Sequence, residues 1–182
     1  MIFKKLYLVF FVFLIGTSLH AQNLECPNSI SKFKSILDDE LHILTNGNHQ
    51  QLLEYNEKYS YAYEFNNNHP NKRFLSGKWI DEVAYNEELK DFITKVKTKE
   101  ISIKNLVFHP ITGNQIISSG EICVMPVQAT IVINDEAEIM ISDLIFVRNL
   151  QSNEWKNLTY IDFSEEDFKE FFPDFPNDIQ LK

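Results

Sequence analysis

Asp143 is the residue in this 182-residue chain whose surroundings suggest chemistry. Across Glu138–Arg148 the odd positions read Ile139, Ile141, Asp143, Ile145 and Val147, an apolar row with a carboxylate at its centre. Alternate residues of a strand share one face, so the spacing predicts a carboxylate on a buried face. An unpaired buried carboxylate costs several kcal/mol and holds its proton to higher pH. Such a group can act as a general base or a hydrogen-bond donor, and Asp143 with Glu121 and Tyr160 is the candidate catalytic set. The structural alternative is that Asp143 marks a bulge or a partner's edge, or pairs with Arg148 or Lys104.

Other chemistry is thinly represented. The chain has no Gly-rich phosphate loop, His-Glu-x-x-His pair, nucleophile elbow or Cys-x-x-Cys pair. His42, His49, His69 and His109 lie at no spacing of three or four residues, so no local metal site is expected. No cofactor is expected. Cys26 and Cys123 are the two cysteines. In an oxidising compartment they pair, and the bridge would tie the N-terminal segment to a central strand. The alternative is two buried free thiols. Asn157-Leu158-Thr159 matches a glycosylation sequon but falls in a predicted strand.

The C-terminal stretch carries a different signal. From Asp162 to Lys182 there are seven acids against two lysines, a net of −5 in 21 residues. Glu165, Glu166 and Asp167 have a local reason, since a helix N-terminus favours negative charge. Asp174 and Asp178 have none, and Phe172, Phe175 and Ile179 interleave with them. Apolar anchors rimmed by one sign of charge suit a basic protein partner; the alternative is a solvated acidic face whose phenylalanines close the core. Tyr61 and Tyr63, in a cluster with Tyr55, Tyr59 and Phe65, join Phe172, Asp174, Phe175 and Asp178 as candidate binding residues, because tyrosine offers area with a polar tip.

Several elements must position these groups. Phe33, Ile36, Leu37, Leu41 and Leu44 recur at helical spacing and predict a helix over Ser31–Leu44, ended by Asn46-Gly47-Asn48. A shorter helix is expected at Gln50–Tyr59, a strand at Tyr61–Phe65, a loop at Asn66–Asn71 and a third helix at Glu87–Thr98. Phe74–Tyr85 is ambiguous, with a turn or bulge at Ser76-Gly77. From Ile101 the period changes to two. Strands are expected at Ile101–His109, Gln115–Met125, Gln128–Asn134, Glu138–Arg148 and Glu154–Phe163, with Pro126 at a bulge or an edge. Ser164 caps a last short helix, with Asp167 three residues on, and Pro173 stops it. Helices followed by strands argue for an α+β fold, with helices packed on a curved, mostly antiparallel sheet of five to six strands.

That order, with Gly120-Glu121-Ile122 in a mid-sheet strand and Trp155-Lys156 entering the last one, resembles the nuclear-transport-factor-like (cystatin-like) cone fold over residues 31–163. The resemblance implies two N-terminal helices, a short strand, a third helix and then long antiparallel strands, the last of them containing Trp. The fold hosts enzymes, carriers and interaction domains alike. The catalytic sets of its enzymes, an Asp, Tyr or His group at fixed places, are not reproduced here.

Lys4 and Lys5, the uncharged run Leu6–Ile15 and Ala21 have the layout of a secretory signal peptide cleaved after Ala21. Ten apolar residues span only ~15 Å of a ~30 Å hydrocarbon core, which disfavours an anchor. Residues 22–182 would then form a single α+β domain. Losing two lysines and no acids takes the net charge from −9 to −11, which disfavours nucleic acid and anionic lipid as partners. The expectation is a periplasmic or secreted, non-catalytic protein-binding module, inhibitor- or immunity-like, with a basic protein as partner. Its alternative is a small-ligand carrier or a cone-cavity enzyme of isomerase or dehydratase type using a buried carboxylate. The oligomeric state is left open.

Overall fold

Apolar spacing along the first half of the chain produces helices, and a computed structural model shows where their buried stripes go. It describes residues 23–67, 72–75, 77–161 and 163–182. The expected signal peptide, its cleavage point and His69 lie outside these. A 3-10 turn at Cys26–Ser29 leads into α1 (Ile30–Asn46), whose Phe33, Ile36, Leu37 and Leu44 are buried. α2 (His49–Tyr59) opens with a capping box. Asn48 accepts from the Gln51 N–H, and the Gln51 side chain accepts from the Asn48 N–H.

The strand expected at Tyr61–Phe65 is instead a third helix, α3 (Tyr61–Asn67). Its alternating aromatics look strand-like, but Tyr61, Ala62 and Phe65 recur at one, three and four residues. That spacing packs them together against the second core. Helix α3 also takes the first two residues of the expected Asn66–Asn71 loop, whose remainder lies outside the described residues. The ambiguous segment resolves into a hairpin of β1 (Arg73–Leu75) and β2 (Lys78–Ile80). Asp81 then caps α4 (Glu82–Lys97), which starts five residues before the apolar periodicity shows it.

The main sheet contains β3 (Ile101–Phe108), β4 (Gly113–Ile117), β5 (Gly120–Ile133), β6 (Glu136–Arg148) and β7 (Trp155–Tyr160), all antiparallel. The expected return strand Gln115–Met125 is divided. It reverses at Ser118-Ser119, and Gly120 (φ 132°) sits where a Cβ would fall 2.2 Å from the Arg148 carbonyl oxygen. Pro126 lies within β5, at neither a bulge nor an edge strand. β3 pairs with Val127–Ile133 and β4 with Gly120–Val124, end to end along the same side of β5. The Pro126 carbonyl accepts from the His109 N–H, so its missing N–H falls at the junction between the two strands. Asn134 and Asp135, at φ 49° and 69°, form the two-residue turn between β5 and β6.

Residue alternation divides the core in two. One sheet face, carrying Cys123, Met125, Val127, Leu144 and Phe146, packs on α1, α2 and α4. The other, carrying Ile122, Val124, Ile145 and Val147, packs on α3, the β1–β2 hairpin and the C-terminal segment. That segment includes α5 (Glu165–Phe171), capped by Ser164 accepting from the Asp167 N–H. Phe168, Phe171 and Phe172 are buried among Phe74, Tyr61 and Tyr160. Cys26 and Cys123 form a disulfide that ties the 3-10 turn to β5. No helix among the described residues is long and apolar enough to cross a membrane.

Candidate functional site

Glu121 and Arg148 face each other across β5 and β6 and form a buried ion pair, Oε2 to Nη2 2.6 Å. The remaining valences of both groups are used locally. Glu121 Oε1 accepts from the backbone N–H groups of Glu25 (2.7 Å) and Cys26 (2.9 Å). Arg148 donates to the Asn23 carbonyl and to Asn153 Oδ1, and its guanidinium lies over the Trp155 ring. Beside the disulfide, this pair fastens the N-terminal segment to the sheet.

Asp143 lies on the opposite face of the sheet. It is 1% exposed, and its Oδ2 accepts from the backbone N–H of Lys182 at 2.6 Å. Tyr160 is its register partner on β7 and shares its face. The structure therefore brings Asp143 and Tyr160 together but separates both from Glu121. Neither Arg148 nor Lys104 is the partner of Asp143. A single base working with two neighbouring groups cannot be assembled from this set.

Of the candidate binding residues in the C-terminal segment, the phenylalanines turn inward, while Asp174 and Asp178 stay exposed and bond to groups on and beside β4. Phe172 is fully buried and stacks on Tyr61, centroids 5.2 Å apart. Phe175 packs edge-on to Phe168. Asp174 accepts from the Ser118 N–H and hydroxyl, both at 2.8 Å, and these bonds hold its carboxyl below the usual range. Asp178 accepts from the Gln115 amide. Ile179 packs on Gly113, where a Cβ would come within 2.6 Å of it. Tyr61 carries a hydroxyl pushed up by burial, and Tyr63 is half-buried. These groups strap the chain's own end along β4.

With β4 covered by that strap, the other strand edges can be compared. The outer edge of β7 meets α2 and α3, through a Ser60–Asn157 bridge and a Lys156 Nζ bond to the Glu57 carbonyl. The outer edge of β3 is interrupted by a bulge between Lys104 and Val107, with Asn105 at φ 52°. Such irregularity prevents another strand from pairing. β6 differs. It runs 13 residues, but β7 pairs only with Asp143–Arg148. Asp143 is where the pairing stops. From Glu136 to Ser142, β6 has β5 on one side and no strand on the other among the described residues.

This open stretch is unlike an ordinary solvated edge. Ile139 is 67% and Ile141 54% exposed, on the same face as Asp143. Val107, 45% exposed, lies in the same cross-strand row as Ile141, through Gln128. The opposite face of the stretch carries Glu136 and Glu138, beside Asp135 in the turn. The edge is thus apolar on one side and acidic on the other, with neither Pro nor bulge to block pairing. The odd-position row was visible in the sequence. That β7 leaves half of β6 bare was not, because the expected strands Glu138–Arg148 and Glu154–Phe163 are of nearly equal length.

No family model, no curated protein and no solved structure matches this chain.

Proposed function

We propose that this is an exported, non-catalytic protein-binding module that captures an extended, basic segment of another protein along the open edge of β6. The observation that carries this reading is the unpaired stretch Glu136–Ser142, with Ile139 and Ile141 exposed. Adding a strand to such an edge gives affinity through main-chain hydrogen bonds and specificity through alternate side chains. The matching segment has Lys or Arg opposite Glu136 and Glu138 and apolar residues opposite Ile139 and Ile141. A second copy is disfavoured as the occupant, because two chains of net charge −9 repel. Three observations support binding over catalysis: the expected carboxylates are engaged by the chain itself, Glu121 and Asp143 lie on opposite faces, and phenylalanines pack on Tyr160, the cross-strand neighbour of Asp143. Export is supported by the disulfide, which persists in oxidising compartments.

The test uses a capped hexapeptide alternating lysine and valine, with a glutamate–valine peptide as control. The lysine peptide is expected to bind and the glutamate peptide to give no signal. Ile141→Lys, at an exposed site that folding tolerates, is expected to weaken binding by about tenfold or more, a ~1.4 kcal/mol effect. Equal binding of the two peptides, or full affinity in Ile141→Lys, would overturn the reading.

A further inference from the structure

A cleft of about 550 Å³ opens between α1, α2, α4, the β1–β2 hairpin and β7. It contains none of the β6 edge residues, so what it binds is a separate matter from strand capture. Leu44, Leu52, Leu75, Leu89, Phe92 and Leu158 supply much of its apolar lining. Into that lining project a chain of three polar groups and a separate pair. Asn157, 7% exposed, donates to the Tyr55 hydroxyl (3.5 Å), which in turn donates to Glu40 Oε2 (3.3 Å). Asn56 donates to the Tyr85 hydroxyl at 3.4 Å.

The charges along the cleft are balanced except one. Glu88 pairs with Lys78 at 2.7 Å and Asp91 with Lys95 at 2.6 Å. Glu40 has no cation within ion-pair reach among the described residues, and Tyr55 supplies one weak hydrogen bond. Burial raises its carboxyl above the usual range, the Tyr55 bond offsetting this in part. A carboxylate in an apolar cleft without a counter-charge is stabilised by whatever brings one. The rings of Tyr55, Tyr85 and Phe92 suit the same charge, since aromatic faces attract cations. An anionic ligand would place like charge beside Glu40, and a neutral one would leave it uncompensated.

We propose that the cleft binds a small amphipathic organic cation, its ammonium group seated on Glu40 beside Tyr55 and its apolar body along Leu52, Leu89 and Phe92. The cleft's volume lies in the range of small-molecule sites, which are mostly apolar with a few convergent polar groups.

The test titrates the folded protein with octylamine, octanol and octanoate, which share a chain and differ in head group. Calorimetry gives affinity, and the Asn157 side-chain amide resonance reports occupancy. Octylamine is expected to bind about tenfold or more tightly than octanol, and octanoate to bind weakest. In Glu40→Gln, which keeps the shape and an acceptor for Tyr55, the amine and the alcohol are expected to agree within about twofold. Octanoate or octanol equal to octylamine, an amine preference that survives Glu40→Gln, or no binding by any probe would each overturn the proposal. None of these outcomes bears on the β6 edge, which the peptide experiment tests on its own.

Discussion

Three carboxylates show how one residue type is put to different uses by its surroundings. Glu121 is fully buried yet satisfied by Arg148 and two backbone N–H groups. Asp143 is buried at the point where β7 stops and binds the backbone of Lys182. Glu40 lies in the cleft with one hydroxyl donor and no cation. The sequence marked the first two, through Gly120-Glu121-Ile122 and the apolar row around Asp143. Glu40 leaves a signal in the sequence: Phe33, Leu37, Glu40 and Leu44 follow helical spacing, so a half-buried glutamate falls in line with the buried stripe of α1. Its raised carboxyl has a consequence for stability. At pH values where Glu40 is protonated in both folded and unfolded chains, it costs nothing. As pH rises, the unfolded chain loses this proton first, so the folded state loses stability until Glu40 ionises there too. Glu40→Gln is therefore expected to raise the urea midpoint at pH 7, with the gain vanishing below pH ~4. A midpoint change of equal size at both pH values would contradict this account.

At the scale of elements, strand existence was legible and strand pairing was not. The period-two alternation from Ile101 located the sheet region, and the Ser164–Asp167 cap located α5. Pro126 misled, because proline in a sequence reads as a bulge or a sheet edge, whereas here its missing N–H falls in the gap between β3 and β4. Tyr61–Phe65 misled because a seven-residue helix has too few turns to display a helical period against alternating aromatics. The C-terminal acids were legible as a charged stretch, but their partners Ser118 and Gln115 lie more than fifty residues away and leave no local trace. The N-terminal segment was better determined, since two cysteines allow one pairing. That bridge spans 97 residues of sequence. Closing a loop near that length restricts the unfolded chain by ~4–5 kcal/mol in the chain-entropy model. A Cys26→Ala/Cys123→Ala double variant is expected to lose stability of that order in urea unfolding. A loss under about 1 kcal/mol would show that the Glu121–Arg148 clasp alone fixes the segment.

For the whole molecule, the central claim is that, among the described residues, the main sheet has its other edges covered or kinked and presents the β6 edge for capture. The C-terminal strap covers β4, helices cover β7, and a bulge interrupts β3. Glu136–Ser142 is left with apolar side chains on one face and acids on the other. Unpaired edges invite association and are ordinarily blunted, so a smooth one with exposed isoleucines supports the proposed docking of a partner strand. The most direct measurement is residue-resolved amide hydrogen exchange, with and without saturating lysine–valine peptide. In the free protein, alternate amides between Ala137 and Ser142 point away from β5 and are expected to exchange rapidly at every protein concentration, while those of Ile122–Met125 stay protected. Bound peptide is expected to slow those outward amides by about tenfold or more. Protection already present in the free protein, or peptide-induced protection confined to other strands, would contradict the claim that β6 is the docking edge.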